Sequence, residues 1–363
     1  MNGMKYSLSL GRPFGIKIAV HWTFLLLILW VVAVNIRQGA DTAQVIISIL
    51  FILALFVCVT LHELGHSLTA RRYGIETRNI TLLPIGGMAN IDDMPEKPKQ
   101  EIVVTASGLI VNVIIALLLW VIISIIPGYT FDTNLEAITG QNFLILLMYV
   151  NLFIAAFNLI PAFPMDGGRI LRAVLSFRFD RIKATRYAMI AGQGFGVIFA
   201  LVGLFINPFL FVIGIFVVIG ARLEYTQVRY RSLLVDYKAQ DILMEEYSTL
   251  QQDELLKNAV DLLLKSAQTG FLVKEDDEIV GILSKNDIIN GLSKHGQEVP
   301  VREVMTTGFK HVDAATPLRD IFKTMQREKL DILPVFDGQK LIGVIDQDNI
   351  QEFIMVQSAL REA

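Results

Sequence analysis

The 363-residue sequence has one cysteine, few charged residues and no excess of positive charge. A single cysteine, Cys58, excludes a disulfide within the chain. A formal net charge of −3 provides no global basic character for binding nucleic acid, so no nucleic-acid partner is expected. The first long apolar stretch is not followed by a small-residue cleavage site, which predicts a membrane span rather than a cleavable signal peptide.

Apolar residues are abundant instead. They make up 53% of the chain, charged residues make up 18%, and the mean hydropathy is +0.52. This composition indicates a membrane protein with a soluble part. Six candidate spans lie at roughly 18–35, 44–70, 102–126, 143–161, 186–205 and 207–221.

Lysine and arginine are distributed unevenly between the flanks of these spans. One set of flanks carries many basic residues, Arg71 and Arg72 among them, whereas the opposite set has only Arg37 and the loop 127–142 has none. Because basic residues favour the cytoplasmic side, we expect a multi-pass plasma-membrane protein with both termini in the cytoplasm.

The second apolar run ends in the sequence His-Glu-Leu-Gly-His at positions 62–66. On a helix, His62 and His66 lie one turn apart on the same face, where both can bind one zinc ion. Glu63 is then placed to polarise a zinc-bound water as a general base. An ionisable cluster in an apolar run favours a functional site over the alternative, a chance His-Glu pair at the end of an ordinary helix.

A catalytic zinc site needs a third protein ligand, and Asp166 is the best candidate. Pro161 and Pro164 break the fourth span, and Asp166 follows within the apolar part of the chain. A buried carboxylate is costly when unpaired but not when it binds a metal. The alternative is that Asp166 caps a new helix. We expect His21 to be an interfacial or packed residue rather than a ligand.

The composition changes at about residue 236, where charges return and span-length apolar runs end. This part contains an internal repeat, in which 279–288 matches 341–350. Each unit is predicted to run helix, strand, turn, strand, helix. The predicted parts are a membrane domain (1–229), a cytoplasmic part (230–363), its repeats (about 236–297 and 298–358) and a linker at 222–238.

Two separated motifs carry a resemblance to a known family. The segment 62–66, combined with Asn158-x-x-Pro-x-x-Pro-x-Asp166-Gly, resembles the site-2 protease family of intramembrane zinc metalloproteases. The similarity extends over nearly the whole chain and is greatest to the prokaryotic branch with six spans and a C-terminal pair of CBS domains. The resemblance implies that His62, His66 and Asp166 bind Zn²⁺. It also implies that Glu63 is the catalytic base and that Asn158 holds the substrate or the oxyanion.

The implied fold is a polytopic α-helical membrane domain of six transmembrane helices, followed by an α/β tandem CBS module. Two weaker matches concern substrate binding. The sequence around Gly86 and Gly87 resembles the family's Gly-Gly element, which offers an edge to an extended substrate, although an ordinary turn is the alternative. Asn112 belongs to a match to the third-span motif, with Leu109 where the family often has proline, and helix packing explains Asn112 equally well.

The repeat resembles CBS domains, which pair and often bind adenine nucleotides such as ATP, ADP or AMP. In that family a Ser or Thr and an Asp three residues later contact phosphate and ribose. The first repeat keeps this pattern as Ser284 and Asp287, whereas the second has Asp346 and Asn349. A carboxylate at that position would repel phosphate, so at most one good nucleotide site is expected. The alternative is that the module only forms a homodimer or docks substrate.

The function implied by the resemblance is regulated intramembrane proteolysis of a membrane-anchored protein, such as an anti-sigma factor or a precursor protein. Nucleotide binding or dimerisation at the CBS pair is expected to modulate it. The rival from another class is a metal transporter or channel regulated by its CBS pair, since such proteins also place His and Asp in spans. Glu63 beside the first histidine and the broken helix after Asn158 argue against that rival. A complete ligand set argues against an inactive relative.

Overall fold

A computed structural model of the chain describes residues 7–84, 86–91, 95–126, 138–266 and 268–360, with only the backbone of 88–91. The chain divides into two compact units, Met1–Thr226 and Gln227–Ala363. The predicted end of the membrane domain, residue 229, lies three residues after this division.

The described part of the first unit is mainly helical. Its helices are α1 (Thr23–Arg37), α2 (Thr42–Arg71), α3 (Pro98–Ile125), α4 (Phe143–Asn158), α5 (Asp166–Leu175), α6 (Arg181–Ile206) and α7 (Pro208–Leu233), the last of which ends beyond the unit boundary. In the described part of the chain, four helices are long and apolar enough to cross a membrane, namely α2, α3, α6 and α7. Helices α1 and α4 are apolar but shorter.

The structure corrects three of the predicted span boundaries. Residues 18–21 belong to a strand, so the first apolar helix begins only at Thr23. The fourth helix ends at Asn158 because the following segment contains two prolines. The last helix continues to Leu233, so residues 222–233 are helical rather than part of a linker. The linker is predicted from the return of polar residues, which marks the end of the apolar run but not the end of the helix. No glycine or proline lies between Gly220 and Leu233 to end the helix earlier. The loop 127–142 is described only from residue 138, and both terminal ends lie outside the described residues.

A small sheet lies against α1 and α2. It consists of β1 (Ser7–Gly11), β2 (Lys17–His21), β3 (Thr77–Leu83) and β4 (Gly86–Ile91), in the order β1-β2-β3-β4. Strands β2 and β3 are parallel, and β3 and β4 form an antiparallel hairpin in which Leu82 lies opposite Gly87. Buried apolar residues of the sheet, such as Ile80, pack against Phe24 and Phe56 of the helices. Strand β4 is therefore an edge strand held directly over α2.

The second unit contains two similar α/β repeats. The first comprises β5 (Thr249–Gln251), α8 (Leu256–Lys265), β6 (Gly270–Glu275), β7 (Glu278–Ser284) and α9 (Lys285–His295). The second comprises β8 (Val312–Asp313), α10 (Leu318–Glu328), β9 (Ile332–Asp337), β10 (Lys340–Asp346) and α11 (Gln347–Leu360). Each repeat forms a three-stranded sheet, with orders β5-β6-β7 and β10-β9-β8.

The repeats exchange strand contacts in a reciprocal way. Met244, which precedes the first repeat's sheet, pairs with Val344 of β10, and Thr306, which precedes the second repeat's sheet, pairs with Ile282 of β7. Buried apolar residues from both sheets also form one shared cluster, including Leu272 and Val344. Each repeat thus completes the other, as the internal sequence repeat predicts for a paired module.

Candidate metal centre

Two histidines of α2 face one another across one helical turn. His62 and His66 are four residues apart, so the helix places both imidazoles on the same face. Their Nε2 atoms are 3.1 Å apart, and the residues are only 6% and 3% exposed. The helix begins where the Asp41 side chain accepts a hydrogen bond from the Gln44 N–H at 2.8 Å. The predicted histidine pair is therefore preorganised by a single helix.

The opposite nitrogen of each ring is held by α3. His62 Nδ1 lies 2.8 Å from Asn112 Oδ1, and His66 Nδ1 lies 2.9 Å from the carbonyl oxygen of Val104. Both partners are hydrogen-bond acceptors, so each Nδ1 carries a proton and donates it. In neutral imidazoles both Nε2 atoms then present lone pairs. Sequence reasoning missed Val104 because every residue carries a carbonyl group and nothing in its side chain marks this role.

The third predicted ligand meets this pair from α5. Asp166 Oδ2 lies 3.1 Å from His66 Nε2 and 3.4 Å from His62 Nε2, and the residue is 7% exposed. The cap of α5 is Met165, and Asp166 is the first residue inside the helix. Asp166 therefore does not act as the helix cap, which was the alternative role considered for it. Its Oδ2 is buried and accepts no hydrogen bond from the described residues.

The arrangement fits a divalent cation. Three atoms, two imidazole nitrogens and a carboxylate oxygen, converge at 3.1–3.4 Å. With each neutral imidazole protonated on Nδ1, all three atoms present lone pairs to one another. Such a cluster is repulsive unless a cation binds it. Ligands about 2.0–2.1 Å from a tetrahedral zinc ion are about 3.3 Å from one another, which matches these separations. Three protein ligands leave the fourth position for water or substrate.

Glycines allow the helices to come this close. A Cβ on Gly108 of α3 would overlap the His66 ring and lie 2.9 Å from Cε1 of His62. A Cβ on Gly167 would overlap the carbonyl groups of Leu159 and Ile160, in the turn that leads to α5. The Gly-Gly pair after Asp166 thus has a packing reason, and Gly108 is a site residue whose role the sequence did not indicate.

Glu63 lies beneath the hairpin strand β4. A Cβ on Gly87 would lie 2.8 Å from Cγ of Glu63 and 3.3 Å from its Oε1. Gly87 therefore packs directly on the glutamate beside the first histidine. Gly86, at the start of β4, has a φ of +137°, which favours glycine. The two predicted substrate-binding glycines thus lie in an edge strand, and Gly87 lies next to the predicted base.

Two of the remaining predicted residues of the membrane unit, Asn158 and His21, lie at the ends of a helix and a strand. Asn158 is the half-buried last residue of α4, and the turn that directly follows it contacts Gly167. His21 ends β2 and its Nδ1 lies 2.7 Å from Thr23 Oγ1. It does not belong to the cluster of His62, His66 and Asp166. Asn112 contacts His62 as described above, and its role in substrate binding stays a prediction.

In the second unit, Ser284 and Asp287 form a capping box at the start of α9. Ser284 Oγ accepts a hydrogen bond from the Asp287 N–H at 3.1 Å, and Asp287 Oδ2 accepts one from the Ser284 N–H at 3.0 Å. Ser284 Oγ also donates to Asp287 Oδ2 at 2.7 Å. The spacing that predicts nucleotide contacts therefore also satisfies a helix N-terminus.

The second repeat uses its aspartate in a similar way. Asp346 Oδ1 accepts a hydrogen bond from the Asn349 N–H at 2.7 Å, and Oδ2 lies 3.4 Å from Thr269 Oγ1 of the first repeat. Asp346 is only 3% exposed, and burial raises the pKa of its carboxyl. The position that would approach a phosphate in this repeat is thus a buried carboxyl group.

Each of the two units matches a known protein family. Residues 50–203 match the model of peptidase family M50, and residues 239–294 and 301–356 match the CBS domain. The chain is 35% identical over 348 residues to a zinc metalloprotease of Methanocaldococcus jannaschii, with 96% of each chain covered. It is 23% identical over 250 residues to stage IV sporulation protein FB of Bacillus subtilis, which covers 66% of this chain and 82% of that protein.

Among solved structures, the chain is similar to the site-2 protease from Methanocaldococcus jannaschii. The identity is 37%, the match covers 61% of this chain and 95% of that one, and the TM-score is 0.46. The family matches and the full-length metalloprotease relative confirm the expected fold class, a helical membrane domain followed by a CBS pair. The chain therefore belongs to peptidase family M50, the site-2 protease family of zinc metalloproteases, and carries a tandem pair of CBS domains.

Proposed function

We propose that this metalloprotease cuts a membrane-anchored protein, such as an anti-sigma factor or a precursor protein, within or beside its membrane span. The observation that carries the proposal is the convergence of Asp166 with His62 and His66. The two histidines and Glu63 lie on α2, a helix long and apolar enough to cross a membrane. The proposed location is the plasma membrane, with both termini in the cytoplasm.

Zinc and two side chains, those of Glu63 and Asn158, divide the steps of peptide hydrolysis between them. Zinc, when bound by His62, His66 and Asp166, supplies a Lewis acid that makes a water molecule more acidic. The Glu63 carboxylate accepts a proton from the attacking water and later returns it to the leaving amine. The Asn158 side-chain amide donates a hydrogen bond to the carbonyl oxygen as negative charge develops there. Support for this placement of Asn158 is the contact of the turn that follows it with Gly167, next to Asp166.

The substrate is proposed to bind as an extended strand along β4. A peptide bond inside a helix is shielded, so a transmembrane segment must unwind before it can be cut. An edge strand offers main-chain hydrogen bonds to such a segment. Because Gly87 packs on Glu63, a peptide added to this edge would pass close to the proposed base.

The decisive experiment compares the parent protein with Glu63→Gln, using zinc content and cleavage of a single-span model substrate. Glu76→Gln, which changes an exposed glutamate, is the matched control. We expect all three proteins to hold zinc and only Glu63→Gln to lose cleavage, by about 100-fold or more. Equal cleavage by the parent and Glu63→Gln would contradict the role of Glu63. Zinc transport into vesicles without any cleavage by the parent would support the transporter instead.

The CBS pair is proposed to modulate cleavage through an adenine nucleotide at Ser284 and Asp287, and through a homodimer. Support comes from the reciprocal pairing of the two repeats, which makes one module. The test measures binding of ATP, ADP and AMP to the full-length protein, its mass in detergent, and cleavage with and without nucleotide. Tight binding that is lost in Asp287→Asn, a variant that retains a capping oxygen, would support the site. Unchanged binding in this variant would exclude Asp287 as a contact.

A further inference from the structure

The membrane unit contains a second buried charge cluster besides the metal centre. Arg172 of α5 and Glu101 of α3 are 1% and 0% exposed. Arg172 donates from Nε to Glu101 Oε1 at 2.8 Å, and its Nη2 binds the same oxygen. Its Nη1 donates to Glu224 Oε1 of α7 at 2.8 Å, and Arg181 Nη1 donates to Glu101 Oε2 at 3.3 Å. One guanidinium thus joins three helices.

Such a cluster needs an explanation beyond stability. Taking charges out of water costs free energy, and a buried ion pair often stabilises a protein no better than well-packed apolar residues. Some buried ion pairs instead fix how the elements that carry them pack together, even where they add little stability. Arg172 and Glu101 are not among the proposed zinc ligands, so their function must be exerted through other residues.

The cluster lies on the two helices that bring the ligands together. Glu101 is one helical turn before Val104, whose carbonyl holds His66 Nδ1. Arg172 is six residues after Asp166 on α5, which is about 9 Å along the helix. The ion pair between them therefore ties the helix that orients a histidine to the helix that carries the carboxylate.

Arg172 also contacts the turn that precedes Asp166. Its guanidinium carbon lies 5.2 Å from the ring centroid of Phe163, which is fully buried in that turn. A Cβ on Gly168 would lie 2.5 Å from the backbone nitrogen of Phe163, so turn and helix are in close contact. Arg172 thus contacts the segment that leads into α5, and that segment packs on the first turn of the helix.

We infer that Arg172 is a positioning residue of the metal centre. Through its ion pairs with Glu101 and Glu224, it holds α5 at the distance from α3 at which Asp166 Oδ2 meets the two imidazoles. The inference rests on the proposed zinc site. Lysine at this position would keep the charge but not the fork of donors that binds both glutamates, so it would hold α5 less well.

The test measures zinc affinity by chelator competition on the full-length protein in detergent, and the absorption spectrum of its cobalt(II) form. The variants are Arg172→Gln and Arg172→Lys, with Arg178→Gln as control because Arg178 is exposed just beyond the end of α5. We expect zinc affinity to fall at least tenfold in Arg172→Gln and less in Arg172→Lys, and to stay unchanged in Arg178→Gln. The intense bands of four-coordinate cobalt should weaken in the same order.

A merely structural role predicts a different result. It would lower the melting temperature of Arg172→Gln while zinc affinity and the cobalt spectrum stayed as in the parent, and that result would overturn the inference. If Arg172→Gln does not fold, Glu224→Gln replaces it, because Glu224 is partly exposed and accepts one of the hydrogen bonds of Arg172. Loss of zinc affinity in Glu224→Gln supports the inference, and unchanged affinity overturns it. A parent protein that binds no zinc would refute the proposed site itself.

Discussion

The Nδ1 atom of His62 in α2 lies 2.8 Å from the Oδ1 atom of Asn112, which is fifty residues later in the sequence, on the adjacent helix α3. Because the amide oxygen accepts a hydrogen bond, it keeps the proton on Nδ1 and leaves Nε2 free to bind a metal. Such partners orient a ligating imidazole, and their loss typically lowers metal affinity 10- to 100-fold.

Asn112→Leu should therefore weaken zinc binding by about 10- to 100-fold. Asn112→Asp keeps an acceptor oxygen and should retain most of the affinity. Asn151→Leu is a matched control, because Asn151 is also a fully buried asparagine in an apolar helix and it contacts Leu147 rather than the metal ligands. Chelator competition measures the three affinities. Similar losses in Asn112→Leu and Asn151→Leu would indicate a general packing defect and contradict the orienting role.

Gly108→Ala should lower zinc affinity more than the loss of the hydrogen bond in Asn112→Leu does. The added methyl group would overlap the His66 ring and press on His62, so neither imidazole could keep its position. We expect a fall in zinc affinity of at least about 100-fold, the upper range for loss of a supporting partner. Gly194→Ala is the control, since Gly194 lies in α6 with no atom within 4 Å of its added Cβ. Full zinc content in Gly108→Ala would show that α3 can move away at little cost.

Gly87→Ala should slow cleavage without removing zinc. The new methyl group would press on the Glu63 side chain, whereas the three ligand atoms are not among its nearest neighbours. Displacement of a general base lowers the rate of the chemical step, so kcat should fall by about tenfold or more while zinc content stays at the parent value. A steady-state assay with the single-span substrate measures this. A rise in KM alone would instead indicate that the strand edge is disturbed and Glu63 is not.

The stability of the second unit should depend on the charge of Asp346. Burial raises the pKa of this carboxyl in the folded protein above the ordinary value of about 4. The folded state therefore binds more protons than the unfolded chain between these two pKa values, and the free energy of unfolding falls as the pH rises through that window. Asp346→Asn cannot ionise, so it removes this fall in the free energy of unfolding. It retains a side-chain oxygen to accept the hydrogen bond from the Asn349 N–H.

We expect Asp346→Asn to raise the free energy of unfolding of the unit at pH 7, because the amide carries no charge to bury. Hydrogen exchange of the β9 and β10 amides in the full-length protein, corrected for intrinsic rates, measures this between pH 4 and 7. Asp337→Asn, which changes an exposed aspartate at the end of β9, is the control. Equal protection in the parent and Asp346→Asn at pH 7 would contradict the expected cost of the buried charge.

Local sequence patterns determined much of this protein. Hydropathy located the apolar helices, and the spacing of four between His62 and His66 placed both imidazoles on one helical face. The two prolines before Asp166 marked a break in the helix, and the internal repeat marked a paired module. Each of these signals lies within one element or in a direct comparison of two segments, which is why the sequence alone could reveal it. The end of α7 escaped prediction because a helix continues past the end of its apolar run.

Only the tertiary structure decided how these elements meet. The Val104 carbonyl, the absent side chain of Gly108 and the pairing of Arg172 with Glu101 all act between helices that are far apart in sequence. Every residue has a carbonyl group, and a glycine or a charged residue can occur in a helix for many different reasons. The sequence around these residues therefore does not reveal their roles. They follow from close packing, in which the position of each helix is set by its neighbours rather than by its own sequence.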